Sequence, residues 1–275
     1  MTNPDRRTLF VTGAASGMGR ATAKLFAEQG WFVGAYDVDE AGLKSLGDET
    51  GGLVRRLDVT DKVDYDAAVA EFGEATGGRM DMLYNNAGIG HSGWFEDVPY
   101  EDTRRLIDIN FIGVVNGIYA ALPLLKATPN SLCFTTSSSS ATYGMPRIAI
   151  YAATKFAIKG LTEALSVEFE RHGVRVSDVL PGLIDTAILD NTPNHSGDGD
   201  SGLRPQDNAP QEGPFRLMPA ESVAECAWQA YRDEGGTLHW YVPEEIGMLD
   251  KAKAAGAEVV RDQIKQMILS RFQGD

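Results

Sequence analysis

The chain has 275 residues, 43% of them hydrophobic, which is enough for one substantial core. Acidic residues number 39 against 25 basic, giving a net charge of −14 with no basic stripe, so a nucleic-acid partner is not expected. Two cysteines, Cys133 and Cys226, are too few and too far apart for a disulfide framework or a zinc pattern.

The stretch before the first strand is too short and polar for a secretory signal. No apolar run approaches about 18 residues, so no transmembrane helix is expected, and the expected setting is cytoplasmic. Residues 8–11 form a short apolar, β-branched run that predicts the first strand. Thr12 to Gly19, TGAASGMG, follows, and then the helix-like RATAKLFAEQG. Gly13, Gly17 and Gly19 let the backbone turn sharply and approach a ligand. Between a strand and a helix, the spacing is a variant of the dinucleotide fingerprint, with free N–H groups facing a phosphate.

A second strand spans 31–36 and ends at Asp37. A carboxylate there can accept both ribose hydroxyls of an adenosine and repel a 2′-phosphate, which favours NAD over NADP. Ser16, in the glycine-rich turn, supplies no cation for that phosphate. The bland alternative is that Asp37 only caps the following segment. A third strand covers 53–57, ending at Asp58-Val59, and 61–77 has helical spacing. A fourth covers 80–84, followed by Asn85-Asn86-Ala87-Gly88, which is either a cofactor-facing loop or an ordinary turn.

Residues 101–126 read as one long amphipathic helix, with Asn110 in an apolar stretch and Pro123 near its end. A buried Asn needs hydrogen-bond partners, as a helix-distorting residue or as part of a polar relay. The Arg pairs at 6–7, 55–56 and 104–105 read as solvated surface. A fifth strand at 131–137, a helix at 149–172 and a sixth strand at 174–180 follow, the last ending in Pro181-Gly182. Residues 185–219 lack periodicity and predict a structureless run, either a functional lid or disorder. A helix at 220–234, a strand at 238–242 and a charged tail helix at 244–272 complete the chain. The alternation predicts a doubly wound parallel α/β sheet with helices on both faces.

Tyr151 and Lys155, four apart at a helix start, share one helical face. Ser138 lies thirteen residues upstream, at the carboxyl end of the fifth strand. A hydroxyl, a phenol and an ammonium can therefore converge. His91, His172, His195 and His239 are scattered without metal-ligand spacing, so no metal is expected. His91, Trp94, Met145, Leu183, Ile188 and Leu189 are possible walls of an apolar substrate pocket, and each is equally ordinary core or surface.

Taken together, TGAASGMG at 12–19, Asp58-Val59, NNAG at 85–88, Asn110, Ser138, YAATK at 151–155 and PGLIDT at 181–186 resemble the short-chain dehydrogenase/reductase family, over roughly residues 7–190. The resemblance implies one Rossmann-type catalytic domain over 1–275, with 187–217 as the substrate lid. It implies Asn110, Ser138, Tyr151 and Lys155 as a catalytic tetrad. Gly13, Ser16, Gly17, Met18 and Gly19 would cradle the cofactor, with Asp37 on the ribose and Asp58 and Val59 near the adenine. Asn86, Ala87 and Gly88 would border it, and Lys155 would also hold the nicotinamide ribose. Ile184 and Thr186 would lie by the carboxamide, and Pro181 and Gly182 would also bind the cofactor.

An ordinary tyrosine titrates near 10, and a neighbouring ammonium favours the phenolate. Lowering that value by about 3 units needs ~4 kcal/mol of differential interaction. The expected activity is NAD-dependent hydride transfer between a lipophilic secondary alcohol and its ketone, in a homodimer or homotetramer. The alternative is a non-catalytic dinucleotide-sensing regulator with the same fold.

Overall fold

The computed structural model describes residues 6–196 and 209–256. Its elements run β1 (Thr8–Thr12), α1 (Gly17–Glu28), β2 (Phe32–Asp37), α2 (Glu40–Thr50), β3 (Leu53–Arg56), α3 (Lys62–Thr76), β4 (Met82–Asn85) and α4 (Tyr100–Ile107). They continue with a π-helical turn (Asp108–Ile112), α5 (Gly113–Ala127), β5 (Leu132–Thr136), a 3-10 turn (Ser139–Ala141), α6 (Ala149–Glu170), β6 (Arg175–Pro181) and β7 (Leu183–Asp185). The last are α7 (Ala187–Asn191), β8 (Leu217–Pro219), α8 (Ala220–Arg232), β9 (His239–Val242) and α9 (Ile246–Ala255).

Seven strands form one parallel sheet in the order β3-β2-β1-β4-β5-β6-β9. This is the Rossmann-type doubly wound arrangement that the sequence predicts. The apolar strands are buried on both faces, as a parallel sheet requires. Along β1 the side chains alternate. Leu9 and Val11 pack with Phe26 and Trp31 on the α1, α2 and α8 side. Phe10 packs with Tyr36, Phe72 and Ile118 on the α3, α5 and α6 side. The Phe10 ring stacks on Tyr36 with centroids 3.9 Å apart, and truncating such a buried ring costs about 3–5 kcal/mol.

Three expectations are corrected. The helix at 101–126 does run from Tyr100 to Ala127, but one turn around Asn110 is π-helical. That helix is also long and apolar enough to cross a membrane by length and composition, contrary to the reading of the sequence. Its Leu106, Val114, Ile118, Ala121 and Leu125 are buried, the last four in the α3, α5 and α6 side of the core. The stretch 185–219 is not structureless throughout. β7 and β8 pair in parallel, Leu183 opposite Leu217 and Asp185 opposite Pro219, and α7 follows β7 directly.

The start of that segment is stitched to the loop after β4. Ser92 N–H donates to the Pro193 carbonyl and His195 N–H to the Ser92 carbonyl, both at 2.8 Å. Residues 197–208 of the expected lid, and 257–272 of the expected tail helix, lie outside the described residues. Within the tail, α9 is tied to α6 by Lys159 and Asp250, 2.5 Å apart.

The arginine pairs are not simply solvated. Arg6 donates to the carbonyls of Gly30 at 2.9 Å and Trp31 at 2.7 Å. Arg55 meets Asp64 at 2.5 Å.

Candidate active site

The sheet order reverses between β1 and β4, and a crevice opens at the carboxyl ends of those strands. Three side chains lock its floor. Thr12 Oγ1 accepts the backbone N–H groups of Asn86 and Ala87, both at 3.1 Å. Asn86 Nδ2 donates to the carbonyls of Thr12 at 3.1 Å and Gly13 at 3.3 Å. Thr136 Oγ1 hydrogen-bonds Tyr84 Oη at 2.9 Å and Asn86 Oδ1 at 3.1 Å. The NNAG segment is therefore a lock between β1, β4 and β5 rather than a free turn. Gly13, at φ +65°, allows the close approach: a Cβ there would lie 2.8 Å from Ala87 Cα. A Cβ on Gly19 would lie 2.1 Å from the Gly13 carbonyl oxygen, so only glycine lets α1 seat on the turn.

A cleft of about 800 Å³ occupies this position. Gly13, Ser16, Gly17 and Met18 line it from the glycine-rich turn, and Asn86, Ala87 and Gly88 from the β4 end. On the β2 and β3 side it reaches Asp37, Asp58 and Val59. On the β5 side it reaches Tyr151 and Lys155, with Thr186 and Ile188 from the chain after β6.

The amino end of α1 carries no side-chain cap and no acidic residue in its first turn. By contrast, Asp39 caps α2 and Asp61 caps α3 through their side chains. The uncapped N–H groups and positive dipole end border the cleft, an arrangement that suits a ligand phosphate. Asp37 is fixed beside it. Its Oδ2 accepts Ala15 N–H at 3.0 Å and its Oδ1 accepts Asp39 N–H at 3.1 Å. Asp58 titrates below the ordinary range because the backbone N–H and hydroxyl of Thr60 bind its carboxylate, aided by Arg56 and Arg105.

At the other end, Lys155 is buried and donates to the Thr136 carbonyl at 2.8 Å. Its nitrogen lies 5.5 Å from the Tyr151 ring centre. Burial pushes its pKa down to about 8, and the Asp178 carboxylate opposes that fall. Burial raises the Tyr151 phenol, with a hydrogen bond to Ser138 acting the other way. The lowering expected for Tyr151 is thus not present here: burial outweighs the Ser138 hydrogen bond, and the Lys155 ammonium is directed at a backbone carbonyl. Ser138 accepts Ser140 N–H at 3.1 Å, and Ser137 Oγ donates to the Lys155 carbonyl at 2.9 Å. These contacts hold the β5 end against the first turns of α6.

Asn110 is fully buried and does not line the cleft. Its Oδ1 accepts Ile89 N–H and its Nδ2 donates to the Ile89 carbonyl, both at 2.9 Å. It clasps the loop after β4 from inside the π-helical turn. Gly19, Ser138, Pro181, Gly182 and Ile184 are likewise not among the residues that line the cleft. Gly182 N–H donates to the Val242 carbonyl at 2.7 Å, and Ile184 is buried in β7. Together they deliver Thr186 to the wall.

Among the possible pocket residues only Ile188 lines the cleft. His91 is 3% exposed, neither ring nitrogen has a hydrogen-bond partner among the described residues, and burial lowers its pKa. Sequence reasoning missed Tyr100, Arg104 and Arg105, which α4 brings to the cleft. It also missed the organising hydroxyls of Thr12 and Thr136. No local signal marks the α4 residues, since their place depends on how α4 packs. A threonine at each strand's carboxyl end was the available signal for the hydroxyls. Among the described residues no group of three or more His, Cys, Asp or Glu side chains is placed to hold a metal.

The short chain dehydrogenase family model matches residues 7–196. The chain belongs to that family. It is 38% identical over 192 residues to 2,5-dichloro-2,5-cyclohexadiene-1,4-diol dehydrogenase LinX from Sphingobium indicum, covering 68% of this chain and 76% of the relative. The crystal structure of 3-ketoacyl-(acyl-carrier-protein) reductase from Brucella melitensis complexed with NADH aligns with TM-score 0.75 at 28% identity. That match covers 87% of this chain and 98% of the other. A short chain dehydrogenase/reductase from Burkholderia phymatum in complex with NAD aligns with TM-score 0.77 at 25% identity, covering 94% and 96%. This short-chain dehydrogenase is accordingly an oxidoreductase of a family that uses nicotinamide dinucleotides and small-molecule substrates. The uncapped α1 end, the fixed Asp37 and the locked Asn86 fit such a cofactor.

Proposed function

We propose that this protein interconverts a secondary alcohol and its ketone with NAD, using Tyr151 as the general acid–base. The observation that carries the reading is a single cleft with Asp37 on its β2 side and Tyr151 and Lys155 on its β5 side. Bound NAD would supply the hydride acceptor. Asp37 would accept the adenosine ribose hydroxyls and repel a 2′-phosphate, while Ser16 to Gly19 offer N–H groups to the pyrophosphate. Asp58 and Val59 would border the adenine, and Thr186 with Ile184 behind it the carboxamide.

In oxidation the Tyr151 phenolate would take the hydroxyl proton of the alcohol; in reduction its phenol would return it. Ser138 would donate a hydrogen bond to the substrate oxygen as negative charge grows there. Lys155 would hold the nicotinamide ribose. Asn110 would serve through Ile89, which lines the cleft, by fixing the loop beside the substrate.

Ile89, Ile109, Ile188 and Tyr100 give the cleft an apolar wall, which supports a lipophilic substrate. The relative named for a cyclic diol supports one that contains a ring. We read the chain as one catalytic domain, with α7 and β8 on the substrate side. Apolar side chains on the outer faces of α5 and α6, Tyr119 and Val167, are more than 70% exposed. They support pairing of two copies as a homodimer or homotetramer. A regulator without turnover is not favoured, because the relatives are named as dehydrogenases and reductases. The test is a panel of cyclic and acyclic secondary alcohols with NAD and with NADP, followed by reduced-cofactor absorbance. Turnover with NAD is expected. A folded, NAD-binding protein that oxidises none of them, and reduces none of the matching ketones, would refute the reading.

A further inference from the structure

Three separate stretches of chain meet at one buried arginine beside the Tyr151 end of the cleft. We propose that Arg147 is a positioning residue: it pins the loop after β4 and the segment after α7 to the start of α6, and so fixes the substrate side of the cleft. The proposal rests on the reading of that side given above.

Arg147 lies in the turn that leads into α6, four residues before Tyr151. Its backbone is left-handed, with φ +68°. Among the described residues only one other non-glycine residue, Asn130, has a positive φ. Asparagine enters that region readily, whereas a residue with a long side chain is strained there. Arg147 is also only 7% exposed, and a buried guanidinium gives up its hydration. Glycine would remove the first cost, and a small neutral residue the second. An arginine held there in spite of both points to the contacts that it makes.

Those contacts join distant parts of the chain. The Arg147 carbonyl accepts Gly93 N–H at 2.8 Å. Its Nη2 donates to Asn194 Oδ1 at 3.1 Å, and the same oxygen accepts Ser196 N–H at 3.2 Å. The guanidinium carbon lies 5.8 Å from the centre of the Trp94 ring, within cation–π range. Trp94 N–H in turn donates to Ser196 Oγ at 2.8 Å. Between these contacts, Ser92 and Asn194 form a parallel bridge, through the Ser92 and His195 N–H groups. One arginine therefore holds both sides of that bridge.

Each pinned stretch carries a wall of the cleft. Ile89 lines it from the loop after β4, Ile188 from α7 and Tyr151 from α6. The bridge reaches Ile188 through Thr192, whose Oγ1 donates to the Ile188 carbonyl at 2.6 Å. Thr192 packs so closely on the loop that a Cβ on Gly90 would lie 2.8 Å from this oxygen. The α4 wall is tied in as well, since His195 Nε2 lies 3.5 Å from Asp102 Oδ2. The glycine-rich turn and Asp37 stand on β1, α1 and β2 instead. The knot around Arg147 should therefore govern the substrate and leave the adenosine half alone.

Hydrogen–deuterium exchange of the full-length protein, read over 88–95 and 189–196, tests the pinning with no substrate present. Arg147→Gly deletes the guanidinium and relieves the backbone; Arg147→Ala deletes it without that relief. Exchange at the Ser92 and His195 amides should rise at least about tenfold in both, the worth of one hydrogen bond from a charged donor. Arg147→Gly should nonetheless melt above Arg147→Ala, because only glycine takes φ +68° without strain. The NAD dissociation constant should stay within about twofold of native, as for sites that share no partner. On a secondary alcohol that the native protein oxidises, Arg147→Gly should raise KM at least about tenfold and change kcat less than about threefold. A smaller rise in exchange overturns the pinning. An NAD affinity that weakens in step, or an unchanged KM, overturns the assignment to the substrate side. Should neither variant fold, Asn194→Ala removes the guanidinium's acceptor and must meet the same expectations. If the native protein oxidised no alcohol and reduced no ketone, the functional reading would fall, while exchange would still decide whether Arg147 pins these stretches. The two failures are therefore distinguishable.

Discussion

Asn110→Leu separates two roles that a buried asparagine in this helix can have. Leucine keeps the branching of asparagine, with bulkier ends, but removes both hydrogen bonds to Ile89, each 2.9 Å in the native protein. The Ile89 N–H and carbonyl then lose their partners. An unsatisfied buried backbone group costs about 1–3 kcal/mol. Ile89 is only half-buried, so water recovers part of this, and the expected loss is ~2–4 kcal/mol. Urea unfolding followed by circular dichroism measures it from the midpoint and slope.

Asn110→Asp gives the sign. The carboxylate keeps an acceptor for Ile89 N–H but turns a second oxygen on the Ile89 carbonyl, so its folded pKa is raised above the unfolded value of about 3.9. A raised pKa stabilises below the unfolded value, and that stability is lost as pH rises through the folded value. The Asp variant should approach native stability near pH 4 and fall behind at pH 8. A leucine variant within 0.5 kcal/mol of native (below the ~1 kcal/mol lower bound for one orphaned group), but with turnover lost, would refute the clasp and favour a relay role. A pH-independent deficit in the Asp variant would count against it equally.

Tyr151→Phe keeps the ring and deletes the proton-exchanging oxygen, so kcat should fall by at least about 10²–10⁴-fold with little change in NAD affinity. Lys155→Ala should lose both. Near-native turnover of Tyr151→Phe would show the base to be elsewhere. NAD should exceed NADP by at least about tenfold in kcat/KM, and Asp37→Ala should erode that preference; equal use of both by the native protein refutes the role given to Asp37. Light scattering should report at least a dimer at micromolar concentration, and a 29.7 kDa species would refute the pairing. The raised pKa of His239 means that its contribution is complete below ~6.5 and lost as pH rises through the folded value. The stability gap between native protein and His239→Gln should therefore shrink from pH 6 to pH 9, and a constant gap would refute the assignment.

The parts of this fold legible in the sequence are those whose cause is local. A buried parallel strand reads as a short apolar run, and a glycine-rich turn between strand and helix reads directly, so β1, the turn and α1 are found together. Tyr151 and Lys155 are readable because one helical turn separates them, whatever surrounds the helix. The missed parts depend on partners far along the chain. β7 and β8 are three residues each, and they are strands only because 183–185 and 217–219 meet. The π-helical turn at Asn110 exists beside a backbone segment about twenty residues earlier. Arg104 and Arg105 look solvated in the sequence and reach the cleft only because α4 packs beside it.

The same distinction governs chemistry. Side-chain identity nominated Lys155 and predicted that it would lower the Tyr151 pKa. The structure instead turns the ammonium toward the Thr136 carbonyl at 2.8 Å, while burial raises the Tyr151 phenol. Nothing in the spacing of a YxxxK motif announces that carbonyl, which lies at the end of β5, between β4 and β6 in the sheet. A sequence motif can thus nominate the side chains, whereas their surroundings are assembled by the sheet. Tyr151→Phe removes the phenol oxygen and leaves the Thr136 carbonyl as the hydrogen-bond partner of Lys155, so turnover should fall while NAD affinity holds. An affinity that fell in step with turnover would show that the phenol serves the cofactor and not the proton.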